Sequence, residues 1–550
     1  MPRRKNNLKN AALGWISATL MGVVLVAGCG ENVKFRNPLA KNQPKQAAAP
    51  AVKPAAKPKA DSKPAQSKEA QARSTMIRTT SLRGGGTSRF NTGGKSVGAN
   101  ASVEENVERL RTEIASSIDF APTLIVWVVD STLSASEMRG SWANAAKKLY
   151  TDFQTNGLPD GKSAESLSTA IVSFGEKTNF VLEQPTTDFS QVIGKLSAIE
   201  VDNSGKESTF ETISQVLDKY GPIKQQQARE LMVVIVTDEA GDDWQQVDAV
   251  VEKANATGVR IYAIGVPAPM GRMMAEVAPQ ESRADGMPAM LQGPETRYSQ
   301  RVDMKFNSGG FGGDDVDSGY GPFGLTYLAY QTRGSFLLSR LRSAAWPGSA
   351  IRFEDEVMRK YPPQYLTDAQ YQAKLAENKA LAALHRAASQ GEVEAMTYPA
   401  SQFVVEDEAR LKNALDGAQR TAARLEPLVN AIYDPLADGE KDRDKITDKR
   451  WQASYDLALG RAAAVKARVD GYNQMLAILK GGRKFEDPSH NTWNLEPADT
   501  LEEAGSRLEK TRLQAKEYLE RVIKEHPDTP WAYFAEKELE APIGWKWVEY

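Results

Sequence analysis

The chain has 550 residues, with 69 Lys and Arg against 71 Asp and Glu, one cysteine and three histidines. That length accommodates two or three domains, and a formal net charge of -2 leaves no strong basic face for a nucleic acid, so no such partner is expected. His385, His490 and His526 are far apart in sequence and no nucleophile or acid–base pair stands out, so a binding protein is expected and not an enzyme.

At the start, Arg3, Arg4, Lys5 and Lys9 precede an apolar stretch from Ala11 to Ala27 that ends in Val26-Ala27-Gly28-Cys29. A charged start, a short apolar run and small residues before the cut predict a secretory signal. Gly14, Ser17 and Thr19 interrupt the run, which is too short for a permanent span. The last four residues resemble the lipobox of bacterial lipoproteins. The resemblance implies that Cys29 is acylated, becomes the new N-terminus and anchors the chain to the cell envelope. Gly30, where many inner-membrane lipoproteins carry Asp, favours the outer membrane. No thiol would then remain for a disulfide, and stability must come from packing.

Residues 30–100 read as a tether. Residues 44–66 are dominated by Pro, Ala and Lys, and residues 84–98 by Gly and Ser. Such composition buries too little apolar surface to offset ordering entropy. Extended polyproline II geometry gives it a reach on the order of 100 Å.

Order is expected from Ser102. Ser102-x-x-Glu105 is a capping box, and Val103, Val107, Leu110, Ile114 and Ile118 recur at helical spacing. Apolar runs follow at Leu124–Val129, Ala170–Phe174, Leu231–Val236 and Val259–Val266, separated by helical patterns at 137–153, 188–199, 209–220 and 244–257. Runs apolar on both faces that alternate with helices predict an α/β, doubly wound, mostly parallel sheet covered on both sides. Lys177–Leu182 reads as a hairpin edge strand. Gly157 to Ser163 has three residues between its glycines and precedes a strand, so it is a helix-to-strand turn and not a phosphate loop.

Ligands of such sheets bind beyond the carboxyl ends of the strands, where strand order reverses. Two polar clusters fall there, Asp130-Ser131-Thr132-Leu133-Ser134 and Thr237-Asp238-Glu239, and Ser208-Thr209 opens a helix between them in sequence. The arrangement resembles the von Willebrand factor A-type (VWA) fold with its metal-ion-dependent adhesion site (MIDAS). Carried over residue by residue, the resemblance implies that Ser134 and Thr132 offer hydroxyls and that Asp130 binds the ion through water or holds those hydroxyls. Thr209 is the candidate of the second loop and Asp238 of the third. Leu133 stands where Gly is usual, and Glu207-Ser208-Thr209 replaces a Gly-containing loop. Oxygen-only ligands suit Mg²⁺, Mn²⁺ or Ca²⁺, and an incompletely neutralised cation can take an Asp or Glu carboxylate from a partner protein. The domain is expected over 101–345. A second reading makes the chain an accessory subunit of an ATPase-driven assembly or maturation complex.

Within that domain, residues 267–321 break the pattern as an insertion rich in Met, Pro and Gly, which leaves a strand end and is expected to border the metal face. Asp314, Asp315 and Asp317 read as a solvated acidic turn. A helix to Gln331 and a strand at Ser335–Ser339 complete the sheet. From Pro362 strand signals vanish, and 346–550 is expected to be all-α, with helices at 367–388, 402–432, 447–480 and 499–525. Breaks are expected at Gly391, Pro435 to Gly439, Gly481-Gly482 and Pro488. Tyr518 to Ala535 resembles the turn between tetratricopeptide-type (TPR) helices, with Asp528 or Thr529 as cap and Pro530 in the first turn. No second copy appears, so a single helical hairpin is preferred. The aromatic tail from Gly544 to Tyr550 is expected to dock on the bundle.

Overall fold

The computed structural model describes residues 101–271, 293–302, 304, 316–341, 351–390 and 399–550; the expected signal segment, Cys29, the expected tether, Asp314, Asp315 and Met273, Met274, Met287 and Met290 lie outside the described residues. Helix α1 (Val103–Phe120) starts where the capping box predicts. Ser102 Oγ accepts from Glu105 N at 3.1 Å, and Glu105 Oε2 accepts from Ser102 N at 2.9 Å. Two orphan donors are thereby satisfied, a contribution of about 1 kcal/mol.

Six strands form one sheet: β1 (Thr123–Asp130), β2 (Leu167–Phe174), β3 (Thr178–Thr186), β4 (Glu230–Val236), β5 (Arg260–Gly265) and β6 (Phe336–Leu338). Their order is β3-β2-β1-β4-β5-β6, all parallel except β3, which runs antiparallel to β2 at one edge. This is the doubly wound α/β architecture expected. Successive residues of β1 point to opposite faces. Ile125, Trp127 and Val129 pack under α1, α2 (Ser136–Asn156) and α3 (Phe189–Leu196). Leu124, Val126 and Val128 pack under α4 (Thr209–Gln226), α5 (Val247–Thr257) and α6 (Phe323–Gln331). Each such side chain stabilises the fold by roughly 1.5–3 kcal/mol relative to exposure, which explains why an alternating pattern is absent from β1. Gly157 and Gly161 take positive φ in the turn between α2 and β2, as a helix-to-strand connection requires.

The second half is built on α11 (Lys449–Lys480), which packs between α10 (Glu408–Gly439) and α12 (Ser506–Glu525) and buries residues all round its circumference, among them Trp451, Tyr455, Leu459, Tyr472 and Met475. The short α7 (Asp355–Met358), α8 (Asp368–Glu377), α9 (Lys379–Ala388) and α13 (Pro530–Leu539) complete the helices. Among the described residues, no helix is long and apolar enough to cross a membrane. Thr529 caps α13 by accepting from Ala532 N at 3.3 Å, with Pro530 as its first residue.

Several expectations are corrected here. The region is helical but not all-α: β7 (Gln402–Val404), β8 (Thr492–Pro497) and β9 (Trp545–Glu549) form an antiparallel three-stranded sheet of order β7-β8-β9. The docked aromatic tail is therefore a strand, with Trp545 and Trp547 buried. The helix expected over 402–432 starts only at Glu408, and that over 499–525 only at Ser506. The helix expected over 367–388 is two, because Asn378 breaks it and caps α9, its Oδ1 accepting from Ala380 N at 2.9 Å and Leu381 N at 3.1 Å. Conversely α10 continues through Pro427 and Pro435 to Gly439, where a break was expected. The backbone cost of an interior proline is offset by the burial of Val429, Ile432 and Leu436 against the core.

The insertion joins the two halves. Its ends pair with each other: Ala268 N donates to Tyr320 O at 2.7 Å and Met270 N to Val316 O at 2.8 Å. Met270, Val302, Met304, Val316 and Tyr320 belong to the core of the helical region and not to the sheet cores. Two arginines of α11 grip it. Arg461 donates to Val302 O at 2.9 Å and Met304 O at 3.2 Å, and Arg450 pairs with Glu295. Asp317, expected in a solvated turn, is buried and paired with Arg340, since an unpaired buried carboxylate would be costly.

Candidate metal centre

β2 and β4 flank β1, so the chain leaves the sheet in opposite directions on either side of it and opens a crevice beyond its carboxyl end. The loop after β1 is fixed from below and from the side. Ser131 N and Oγ both donate to Phe174 O, at 2.7 and 2.6 Å. Asp202 N donates to Ser131 O at 2.8 Å, and Thr132 bridges to Asp202. Gly175 permits that approach, because a Cβ there would meet the Asp202 side chain at 2.5 Å. Arg139 of α2 closes the loop by donating to Asp130 O at 3.1 Å and Thr132 O at 2.8 Å.

Within this frame the three first-loop residues form one hydrogen-bonded chain. Asp130 Oδ1 accepts from Thr132 N at 2.9 Å and Thr132 Oγ1 at 2.6 Å, and Thr132 Oγ1 lies 3.0 Å from Ser134 Oγ. Asp130 Oδ2 accepts from Thr237 Oγ1 at 2.6 Å, which ties the first loop to the third. Asp238 follows Thr237 and is fully buried. Thr209, at the first turn of α4, is also fully buried, and its Oγ1 has no hydrogen-bond partner. Gly241 of the third loop packs against it.

The electrostatics are those of crowded, desolvated acids. Burial raises the Asp130 carboxyl above its ordinary range, against the hydrogen bonds from Thr132 and Thr237 and the nearby Arg139 charge. Burial and then the Asp130 charge hold Asp238 well above the usual carboxylate range. Glu207 is pushed up to about 8 by burial, with the charges of Asp130, Asp242 and Asp238 adding to it. Glu239 is buried beside it and hydrogen-bonds to the Glu207 carboxyl. Carboxylates concentrated in one buried place favour either protonation or a bound cation. The oxygen-only donor set, with an orphaned threonine hydroxyl, fits a hard divalent ion.

Hydrogen bonds thus join Asp130, Thr132 and Ser134, Thr237 ties that loop to the one that carries Asp238, and Gly241 of the same loop packs against Thr209. The sequence reasoning placed Thr237 and Glu239 in the third-loop cluster and Glu207 in the second loop but gave them no role, and it missed Arg139. Glu207 carried a signal, since it stands in a loop where glycine is usual; Arg139 carried none, because its role is to bind backbone carbonyls. A second acidic group, Asp456, Glu525 and His526, brings its ligand atoms within 4.8 Å. There the Arg443 guanidinium already bonds both Asp456 and Glu525, which makes an ion-pair cluster of it.

The profile of the von Willebrand factor type A domain matches residues 125–291. The chain carries a VWA domain. Its sheet and flanking helices are those described above, followed by the helical region. Among solved structures, an aerotolerance-related membrane protein from Bacteroides fragilis is similar at 13% identity, over 40% of this chain and 92% of that one, with a TM-score of 0.25. The conserved hypothetical protein BatB from Bacteroides thetaiotaomicron is similar at 14% identity, over 40% and 92%, with a TM-score of 0.24. Proximal thread matrix protein 1 from the mussel byssus, with a zinc-occupied MIDAS motif, is similar at 16% identity, over 27% and 37%, with a TM-score of 0.21. No curated protein matches the chain.

Proposed function

We propose that the protein is a divalent-cation-dependent protein-binding component of a bacterial cell envelope, anchored through a lipid on Cys29 and carried on the tether of residues 30–100. The observation that supports it best is the set of oxygens at the strand ends: Asp130, Thr132, Thr209 and Asp238 are buried, Ser134 is half-buried, and they stand with a cluster of acids and one orphaned hydroxyl. These five residues would hold one Mg²⁺, Mn²⁺ or Ca²⁺ ion. The ion would supply a positive centre able to attract a further anionic ligand. Asp130 and Asp238 offset the ion's two charges, but the Arg139 guanidinium beside both carboxylates and the neutral hydroxyls of Thr132 and Ser134 leave the place attractive to an anion, and an Asp or Glu side chain of a partner protein is the natural ligand.

Leu133, exposed on the same loop, and the Arg139 clamp beneath it favour a rigid recognition face over a catalytic one. The test is crosslinking of the full-length protein in intact cells, followed by capture with and without EDTA. A partner recovered only without EDTA, and lost in Asp130→Ala, supports the reading; a partner set indifferent to both rejects it.

A further inference from the structure

The third loop does more than supply Asp238. Helix α4 begins at Thr209, and its natural N-cap, Ser208, does not cap it: the Ser208 hydroxyl is turned away to donate to Glu176 O at 3.2 Å. The first amides of α4 are instead satisfied from a distant part of the chain. Asp243 Oδ1 accepts from Phe210 N at 3.0 Å, and Asp243 Oδ2 accepts from Glu211 N at 2.7 Å. One residue earlier, Asp242 and Glu207 bond reciprocally: Glu207 N donates to Asp242 Oδ2 at 3.1 Å, and Asp242 N donates to Glu207 O at 3.1 Å. One residue earlier still, Gly241 adopts φ +85°, and a Cβ there would stand 2.9 Å from both Cβ and Oγ1 of Thr209. Three consecutive residues therefore each fix the segment 207–211.

We propose that Gly241-Asp242-Asp243 is a positioning clasp that sets cation affinity without touching the cation, by holding the Thr209 hydroxyl in register with Asp238. The inference rests on the metal-site reading above. A helix start is ordinarily fixed by its own cap; here that task is given to the loop that also carries the third-loop carboxylate. The same loop is tied to the first through Thr237, which donates to Asp130 Oδ2 at 2.6 Å and accepts from Glu239 N at 3.2 Å. The three loops are thereby linked in one ring of hydrogen bonds, of which the clasp is the segment with no ligand of its own. Backbone at positive φ and a contact that excludes any side chain make Gly241 its least replaceable member.

The test is Mn²⁺ binding to the full-length protein by titration calorimetry, with the metal-free melting temperature measured alongside. Asp243→Ala is expected to weaken Mn²⁺ binding at least tenfold, and Asp243→Asn, which keeps an acceptor for one amide, to recover most of that loss. Gly241→Ala is expected to weaken binding similarly and decides the matter if Asp243→Ala does not fold. Binding within twofold of wild type in both Asp243→Ala and Gly241→Ala overturns the clasp while leaving the metal site standing. A loss that follows the metal-free melting temperature and is not restored in Asp243→Asn also overturns it. A wild-type protein that binds no Mn²⁺ removes the metal site, and the clasp with it.

Discussion

Glu295 of the insertion and Arg450 of α11 form an ion pair in which both side chains are almost wholly removed from water, at 0% and 2% exposure. Arg450 also donates to Tyr361 O at 2.9 Å and lies over the rings of Trp531 and Tyr320, while the second Glu295 oxygen accepts from Gly271 N at 2.9 Å. Both Glu295 oxygens and both terminal nitrogens of Arg450 are engaged, while Arg450 Nε has no hydrogen-bond partner; a buried pair is tolerated when its charged groups are satisfied to this degree.

Glu295→Ala would leave the guanidinium buried and uncompensated. Urea unfolding of the full-length variant is expected to show a loss of about 3–5 kcal/mol. Replacing both partners, as Glu295→Leu with Arg450→Met, is expected to cost far less. Equal losses in the single and double variants would show that the pair is not what stabilises this junction.

Asp130 separates stability from metal binding. Its carboxyl is raised by burial, so ionising it in the metal-free protein is unfavourable, and Asp130→Asn removes that burden. The variant is expected to melt no lower than wild type without metal, yet to lose the Mg²⁺-induced rise in melting temperature. Asp130→Ala is expected to lose that rise as well. A metal-induced shift of wild-type size in either variant would exclude Asp130 from the site.

How much of this was legible in the sequence varies with the reach of the interactions. β1 was readable because Leu124 to Val129 are buried on both faces, so the run is apolar throughout. The metal-loop residues were readable because they directly follow strands. β8 was not, since only Trp493 and Leu495 face inward over its short length and no period can be established from two residues. The pairing of Glu295 with Arg450 joins positions 155 apart, and the capping of α4 by Asp243 joins its loop to one more than thirty residues earlier. No local pattern encodes either. Pro435 misled for the same reason, because the packing that carries α10 through it comes from other helices.

His526 predicts acid sensitivity. Burial lowers its pKa to about 4 from the usual 6.5, and its Nδ1 lies 3.2 Å from the Tyr361 hydroxyl. Below pH 6.5 the unfolded chain takes up a proton that the folded chain refuses until about pH 4, so stability falls as pH drops through that window and levels off beneath it. The difference is on the order of 3 kcal/mol. His526→Gln is expected to flatten the wild-type pH dependence between 6.5 and 4 in denaturant unfolding; an unchanged slope would contradict the assignment.

Trp547 anchors the carboxyl-terminal strand. Its Nε1 donates to Met475 O at 3.1 Å, and its ring meets Phe403 and Trp493 edge-on. Trp547→Ala is expected to cost about 3–5 kcal/mol, measured by chemical unfolding. A loss under 1 kcal/mol would mean that the small sheet adds little to the helical core.

Because the insertion leaves the sheet only to bury Met270, Val302, Met304, Val316 and Tyr320 among the helices, the half that carries the crevice has no clean cut site at its far end. A fragment stopped near residue 345 would display a greasy flank and a stranded Glu295 carboxylate, and would be prone to clump in the test tube. Heritable change faces the same constraint: a new head domain could be grafted onto these helices only if it brought its own wedge to fill the place between Arg450 and Arg461.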